Sequence, residues 1–442
     1  MALLIGMDEA GLGPNLGPFV VAATVWDVPS QVSGFDFWAA FKSILTRSPS
    51  SCDPRLHVAD SKQVFQPGRG IGALERGVWS ALRLCDMQAV TFRDLCAALS
   101  GPAALSGPLA TRLEGEKAGV RGADERTAPA LDVGSEGSLN RLSQDASWRD
   151  ESTPHPSSLL KNTWSTISSC SNPVDFGHVG NVPHVFQRAA SPLPAKPGRG
   201  DKAETSRSAR VERSLFDAEE LVAARAGLSE PLHRDAVDEP PWYNANSLAL
   251  PVASSDESLV EPWRLACERV GARLIAIRAD VVEPNRFNRL VRQYDNKAAA
   301  TSHIAMNLLR GIWHPDGGLE ALVVADKHGG RNRYKPLLSE AFDGANVITV
   351  EEGAERSTYR VGKGELRFQP RAEEHGPVAL ASMTAKYLRE LAMHQFNAYW
   401  REHIPGIKPT QGYPLDAKRF RAEIAEIQRQ LEITDDVLWR ER

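Results

Sequence analysis

The chain has 442 residues, 42% of them hydrophobic and 24% charged, with a formal net charge of −4. That is enough for one large domain or two ordinary ones, and it excludes a basic coat for nucleic acid while leaving room for a local basic groove. No apolar run reaches membrane-spanning length, the first residues lack a basic leader, and the five cysteines are scattered with no CxxC pair. We therefore expect a cytoplasmic protein with no membrane contact, no disulfide framework and no zinc site.

Residues 2–10 and 17–28 are short apolar runs rich in β-branched residues. Between them lies the loop Gly11-Leu12-Gly13-Pro14-Asn15-Leu16-Gly17-Pro18, so the pattern predicts a hairpin. Helical spacing of Leu74, Val78, Leu82 and Cys85 predicts a helix over 71–85. Residues 101–245 are rich in Ser, Pro, Gly and mixed charge and cannot bury enough apolar surface to offset chain entropy. They are expected to form a largely disordered insertion, with a short helix at 214–228, between two parts of one domain at 1–100 and 246–442.

Clear patterning resumes near 258. Strands are predicted at 272–282, 319–326 and 345–352, and a strand pair within 357–369 around Gly362-Lys363-Gly364. One long helix is predicted over 285–313, and a short one from Lys335. A second long helix over 376–403 has an apolar face of Ala381, Ala385, Leu388, Ala392, Phe396 and Trp400, and a last helix covers 416–431. Strands alternating with helices predict an α/β fold with a mixed central sheet flanked by helices and a C-terminal helical extension.

Acidic residues stand out by position. Asp8 and Glu9 end the first strand, Asp326 ends another, and Glu373-Glu374 precede a long helix. Ligands of α/β sheets gather beyond the carboxyl ends of strands. Carboxylates converging there would repel one another unless a cation intervened, and their hard oxygens suit Mg²⁺ or Mn²⁺. Two such ions about 3.5–4 Å apart stabilise both oxygens of a phosphodiester displacement. Taken singly, Asp326 reads rather as a turn residue or helix cap, and Glu373-Glu374 as a solvated pair at a helix start. The loop reads as a tight turn or as bare backbone that a ligand approaches closely. Lys327, Arg331, Arg333 and Lys335 make a local basic stretch, and His303, His328 and His375 lack ligand spacing.

Several stretches, in order, resemble one family. Residues 6–26, GMDEAGLGPNLGPFVVAATVW, resemble the first-strand signature of type 2 ribonuclease H (the ribonuclease HII family). Residues 59–64 (ADSKQV), 296–309 (NKAAATSHIAMNLL), 322–326 (LVVAD), 371–390 (RAEEHGPVALASMTAKYLRE) and 412–420 (GYPLDAKRF) resemble its later motifs. The resemblance covers roughly 1–65 and 285–425. It implies an RNase H-like fold and a metal-dependent endoribonuclease that cleaves the RNA strand of RNA–DNA hybrids, or at ribonucleotides embedded in duplex DNA, leaving 5′-phosphate and 3′-hydroxyl ends. By matching position, Asp8, Glu9, Asp326 and Glu373 would be the catalytic and metal-binding carboxylates of a two-metal Mg²⁺ or Mn²⁺ site, with Glu374 the one-residue alternative to Glu373. Gly11, Leu12 and Gly13 would contact the ribose 2′-hydroxyl through main-chain atoms, Ser61 and Lys62 would position phosphate, and Tyr413 would lie against the sugar. A monomer is expected.

The sequence departs from the family at several points. Leu12 stands where the family has Arg, Glu373 where it usually has Asp, Arg389-Glu390 where it has Arg-Asp, and residues 66–72 form a different loop after the DSK motif. Two other readings therefore stay open: a nucleic-acid-binding protein on the same scaffold with weak or no turnover, and an RNase H-like nuclease or recombinase acting on DNA without dependence on the 2′-hydroxyl.

Overall fold

Residues 2–29, 32–100, 240–243, 248–253 and 256–441 are described by the structure, a computed structural model. Most of the expected insertion, including 214–228, lies outside the described residues. The chain opens with β1 (Ala2–Ala10) and β2 (Phe19–Val28), then α1 (Phe37–Phe41), a small parallel pair β3 (Leu45–Thr46) and β4 (Leu56–His57), α2 (Ser61–Val64), α3 (Gly72–Leu84) and α4 (Phe92–Ser100). It continues with α5 (Val260–Val270), β5 (Arg273–Val282), α6 (Pro284–Tyr294), α7 (Lys297–Arg310), β6 (Glu320–Asp326), α8 (Lys335–Ala341), β7 (Val347–Glu352), β8 (Ser357–Val361) and β9 (Gly364–Gln369). The last elements are α9 (Gly376–His403), α10 (Pro414–Gln430) and α11 (Asp435–Leu438).

Seven strands form one mixed sheet in the order β5-β2-β1-β6-β9-β8-β7. The predicted hairpin is present: β1 and β2 pair antiparallel from Ala2 opposite Val28 to Ala10 opposite Val20. β1 also pairs parallel with β6, Met7 opposite Ala325, and β6 pairs parallel with β9. Both faces of the central strands are covered, which is why β1, β2 and β6 read as nearly unbroken apolar runs. Ala2 and Leu4 of β1 join the core beneath α9 and α3, whereas Leu3, Ile5 and Met7 join the core beneath α7 and α8. The first turn of α9 lies directly on β1: a Cβ at Gly6 would fall 2.3 Å from Pro377 C and Val378 N, so only glycine fits there.

The single long helix predicted over 285–313 is in fact two. Asp295 takes a left-handed conformation at φ +47° and ends α6, and the Asn296 side chain accepts the Ala299 N–H at 3.0 Å to start α7. The described chain resumes at Pro240, inside the range whose composition marked it as insertion. Trp242 and Tyr243 are buried, with the Tyr243 ring 5.4 Å from Phe92 and the Trp242 ring 5.0 Å from Phe396. The following strap is bonded to the same region. Phe92 N–H donates to Leu248 O at 2.9 Å, and the buried Glu75 carboxylate accepts the N–H groups of Val252 (2.7 Å) and Ala253 (2.5 Å). The chain therefore leaves near Ser100 and returns at Pro240 on one side of the domain. Among the described residues no helix is long and apolar enough to cross a membrane.

Candidate functional site

Asp8 and Asp326 occupy the carboxyl ends of two neighbouring parallel strands, one step past the Met7–Ala325 pair. Alternation along β1 and β6 turns both toward α9. There the Ser382 hydroxyl hydrogen-bonds the Asp8 carboxylate, which also accepts the Glu9 N–H at 2.8 Å. Glu9 follows Leu3, Ile5 and Met7 onto the opposite face of the strand end. The Asp326 carboxylate accepts the backbone N–H groups of Lys327 and Ala372. Ala372 opens the short turn Ala372–Glu374, so Asp326 itself holds Glu373 beside the cluster.

The electrostatics register this convergence. Burial pushes the Asp8 carboxyl up to about 7, with the charges of Asp326 and Glu373 adding to the rise and hydrogen bonds from Ser382 and Glu9 opposing it. Glu9 is pushed well above the usual carboxylate range by burial and by Asp8 and Asp326. Asp326 and Glu373 are raised too, chiefly by burial. Burial alone would lower the Lys62 ammonium, but Asp60, Asp8, Glu373 and Asp326 outweigh it and raise it. Lys62 and the acids therefore share one region of field.

Of the paired glutamates, Glu373 feels Asp326 and Asp60, whereas Glu374 lines a separate acidic depression with Glu351, Glu352 and Glu355. Ser61 is buried behind the carboxylates: its N–H donates to Ser382 Oγ at 3.3 Å and its own Oγ lies 3.1 Å away. Lys62 projects into solvent, 3.8 Å from Asp60. Tyr413 is 55% exposed and its ring edge lies 3.9 Å from where a Cβ on Gly13 would stand. Leu12 rests partly buried on the core beneath α7, so its side chain points away from a role in solvent.

The glycine-rich loop is bound from beneath. Gly11 takes φ +88°, and a Cβ there would strike Arg389 Cδ and Pro18 O at 2.8 Å. Buried Arg389 of α9 donates to Pro18 O (2.9 Å), Leu16 O (3.3 Å) and Gln411 O (3.0 Å). Arg440 donates to Gly11 O and Pro14 O. The N–H groups of Asn15 and Leu16 both donate to Gly412 O, at 2.7 and 3.3 Å. Among the described residues the N–H groups of Leu12 and Gly13 have no acceptor.

The three histidines singled out in the sequence have structural partners. Buried His328 has Nδ1 3.3 Å from Ser302 Oγ and is pushed down to about 4 by burial and then Arg331. His303 stacks on Tyr294 at 3.8 Å, and His375 caps α9. In the basic stretch, Lys327 donates to Asn332 and to Gly353 O, and Arg333 lies 3.8 Å from Glu352.

Sequence reasoning passed over three contributors. Asp60 caps α2 by accepting the Lys62 N–H at 3.0 Å and adds a fifth carboxylate to the field of the cluster. Its signal was available as the acid of the DSK motif. Ser382 lay inside the 371–390 motif but was not singled out there. Arg440 carried no local signal.

Among the described residues, no three His, Cys, Asp or Glu side chains are closed into a metal-ligating set. Instead the acids share one field, each with its own neighbours: Ser382 at Asp8, and the Lys327 and Ala372 N–H groups at Asp326. The donor set is carboxylate oxygen throughout, the chemistry of hard divalent cations, which keep several waters and need no closed protein cage. No protein-family model matches this chain, and no significant match was found among curated proteins.

Proposed function

We propose that this chain is a metal-dependent endoribonuclease with an RNase H-like fold. It cleaves the RNA strand of RNA–DNA hybrids, or at ribonucleotides embedded in duplex DNA, leaving 5′-phosphate and 3′-hydroxyl ends. The observation that carries the proposal is the placement of Asp8 and Asp326 at the carboxyl ends of adjacent parallel strands, one step past the Met7–Ala325 pair, with Glu373 in the same field and a glycine-rich loop following β1. Asp8, Glu9, Asp326 and Glu373 are suited to hold Mg²⁺ or Mn²⁺. Bound there, such ions would supply an activated water and charge stabilisation for the phosphodiester.

The protein's own groups do the positioning. Lys62 faces the same region and offers a cation to the substrate backbone, the contact that orients nucleic acid without reading sequence. The loop offers the N–H groups of Leu12 and Gly13 to a ribose or phosphate oxygen, and a 2′-oxygen distinguishes RNA from DNA at such a contact. Tyr413 presents an exposed aromatic surface beside Gly13 on which a sugar can pack.

The test is cleavage of an end-labelled DNA duplex carrying one ribonucleotide, and of an RNA–DNA hybrid, in Mg²⁺ and in Mn²⁺. Cuts confined to ribonucleotides, and lost by at least about 10³-fold in Asp8→Asn and Asp326→Asn, are expected. Tight binding without cleavage in either metal would make the chain a binding protein. Equal cleavage of an all-DNA duplex would remove the role of the 2′-oxygen.

A further inference from the structure

The last part of the chain returns to the glycine-rich loop, and α6 holds it there. Asn288 Nδ2 donates to Asp436 Oδ1 at 2.9 Å and to Trp439 O at 2.8 Å, and Asn288 Oδ1 accepts the Glu441 N–H at 2.8 Å. Arg292 bridges Asp436 and Glu441, each at 2.5 Å. Leu16 and Trp439 form an antiparallel bridge, and Arg440 N–H donates to Asn15 O at 2.8 Å.

These bonds drive the Arg440 side chain under the loop, where it is 1% exposed. Its Nη2 donates to Gly11 O and Pro14 O, and its Cζ lies 5.2 Å from the Phe287 ring centroid. Among the described residues Nε and Nη1 have no hydrogen-bond partner. A segment that only covered the core would do so better with an apolar side chain, because a buried guanidinium loses its hydration. The hydrogen bonds this side chain does make go to loop carbonyls.

We propose that the C-terminal segment Thr434–Glu441 is a working part of the substrate site, with Arg440 as the positioning residue that fixes the main chain of Gly11–Pro14 for ribonucleotide recognition. Arg440 holds the carbonyls of Gly11 and Pro14, and Arg389 those of Leu16 and Pro18. The loop is then left with the Leu12 and Gly13 N–H groups as its donors to a substrate oxygen. This role rests on the nuclease assignment above, but the loop order it requires does not.

The experiment compares full-length wild type, Arg440→Met and Arg440→Lys by two readouts. Hydrogen exchange at Asn15 and Leu16, whose N–H groups donate to Gly412 O, reports loop order without substrate. Steady-state cleavage of the single-ribonucleotide duplex in Mg²⁺ separates KM from kcat. For Arg440→Met, exchange at these two amides is expected to quicken about ten-fold or more while peptides of β1 and α9 keep their wild-type rates. KM should rise about ten-fold with kcat within about three-fold, and Arg440→Lys should recover part of both losses. Wild-type exchange at Asn15 and Leu16, fast exchange with unchanged KM, or uniform quickening across the whole chain would each overturn the proposal. If the wild type cleaves nothing, the nuclease assignment fails, and local quickening of the loop alone decides whether Arg440 positions it.

Discussion

Asp8 is an acid placed where burial and two neighbouring carboxylates oppose its charge, and its carboxyl rises from the ordinary 3.8 to about 7. The folded form therefore holds a proton that the unfolded chain releases across that range. With fewer protons on the unfolded state, stability falls as pH rises from about 4 to about 7 and is flat above it. In chelator, Asp8→Asn removes the penalty. The variant should gain on wild type with rising pH and stand about 1–4 kcal/mol more stable at pH 8, at 1.36 kcal/mol per pKa unit. Thermal melts from pH 4.5 to 8 check this, and a gap that did not change with pH would contradict it. Under the proposed function, stability and activity would pull in opposite directions at this residue, as expected where like charges are gathered for a cation.

At the scale of elements, the strands were the most legible part. β1, β2, β5 and β6 are buried on both faces and keep apolar, β-branched sequences that end at glycines or acids. The junction of α6 and α7 was not legible, because Tyr294-Asp295-Asn296 contains neither glycine nor proline and the break rests on a left-handed aspartate and an asparagine cap. Strand β5 holds a further surprise. Among the described residues it is an edge strand, yet Arg278 is 2% exposed, and its Nε, Nη1 and Nη2 have no hydrogen-bond partner there. Burial lowers its pKa, and among the described residues no charged group offsets that. An unpaired buried cation is costly, so Arg278→Met should stabilise the fold by about 1–4 kcal/mol. Denaturant melts would show it as a higher midpoint at unchanged slope, and a loss of stability would mean that the guanidinium is satisfied by a bound anion or water.

For the whole molecule, composition did not reveal that residues 240–243, inside the range read as insertion, belong to the core. Trp242 and Tyr243 sit among prolines and acids, and only the rings of Phe92 and Phe396 reveal them as core. Since the chain departs and returns on one side of the domain, replacing residues 101–239 with a flexible linker of about ten residues should leave Tm within a few degrees. Collapse of the cooperative melt would show that the replaced residues support the fold. The acids of the candidate site stood out in the sequence because each lies near a strand end or just before a long helix. The clamp on the loop was not, because Arg440 lies 429 positions from Gly11 and only the folded chain joins them. All of these features converge on one place, and Mn²⁺ reports on it directly. A crystal soaked in Mn²⁺ should give an anomalous difference peak bounded by Asp8, Asp326 and Glu373, lost in Asp8→Asn. A crystal with strong Mn²⁺ peaks elsewhere and none beside Asp8 would contradict the account.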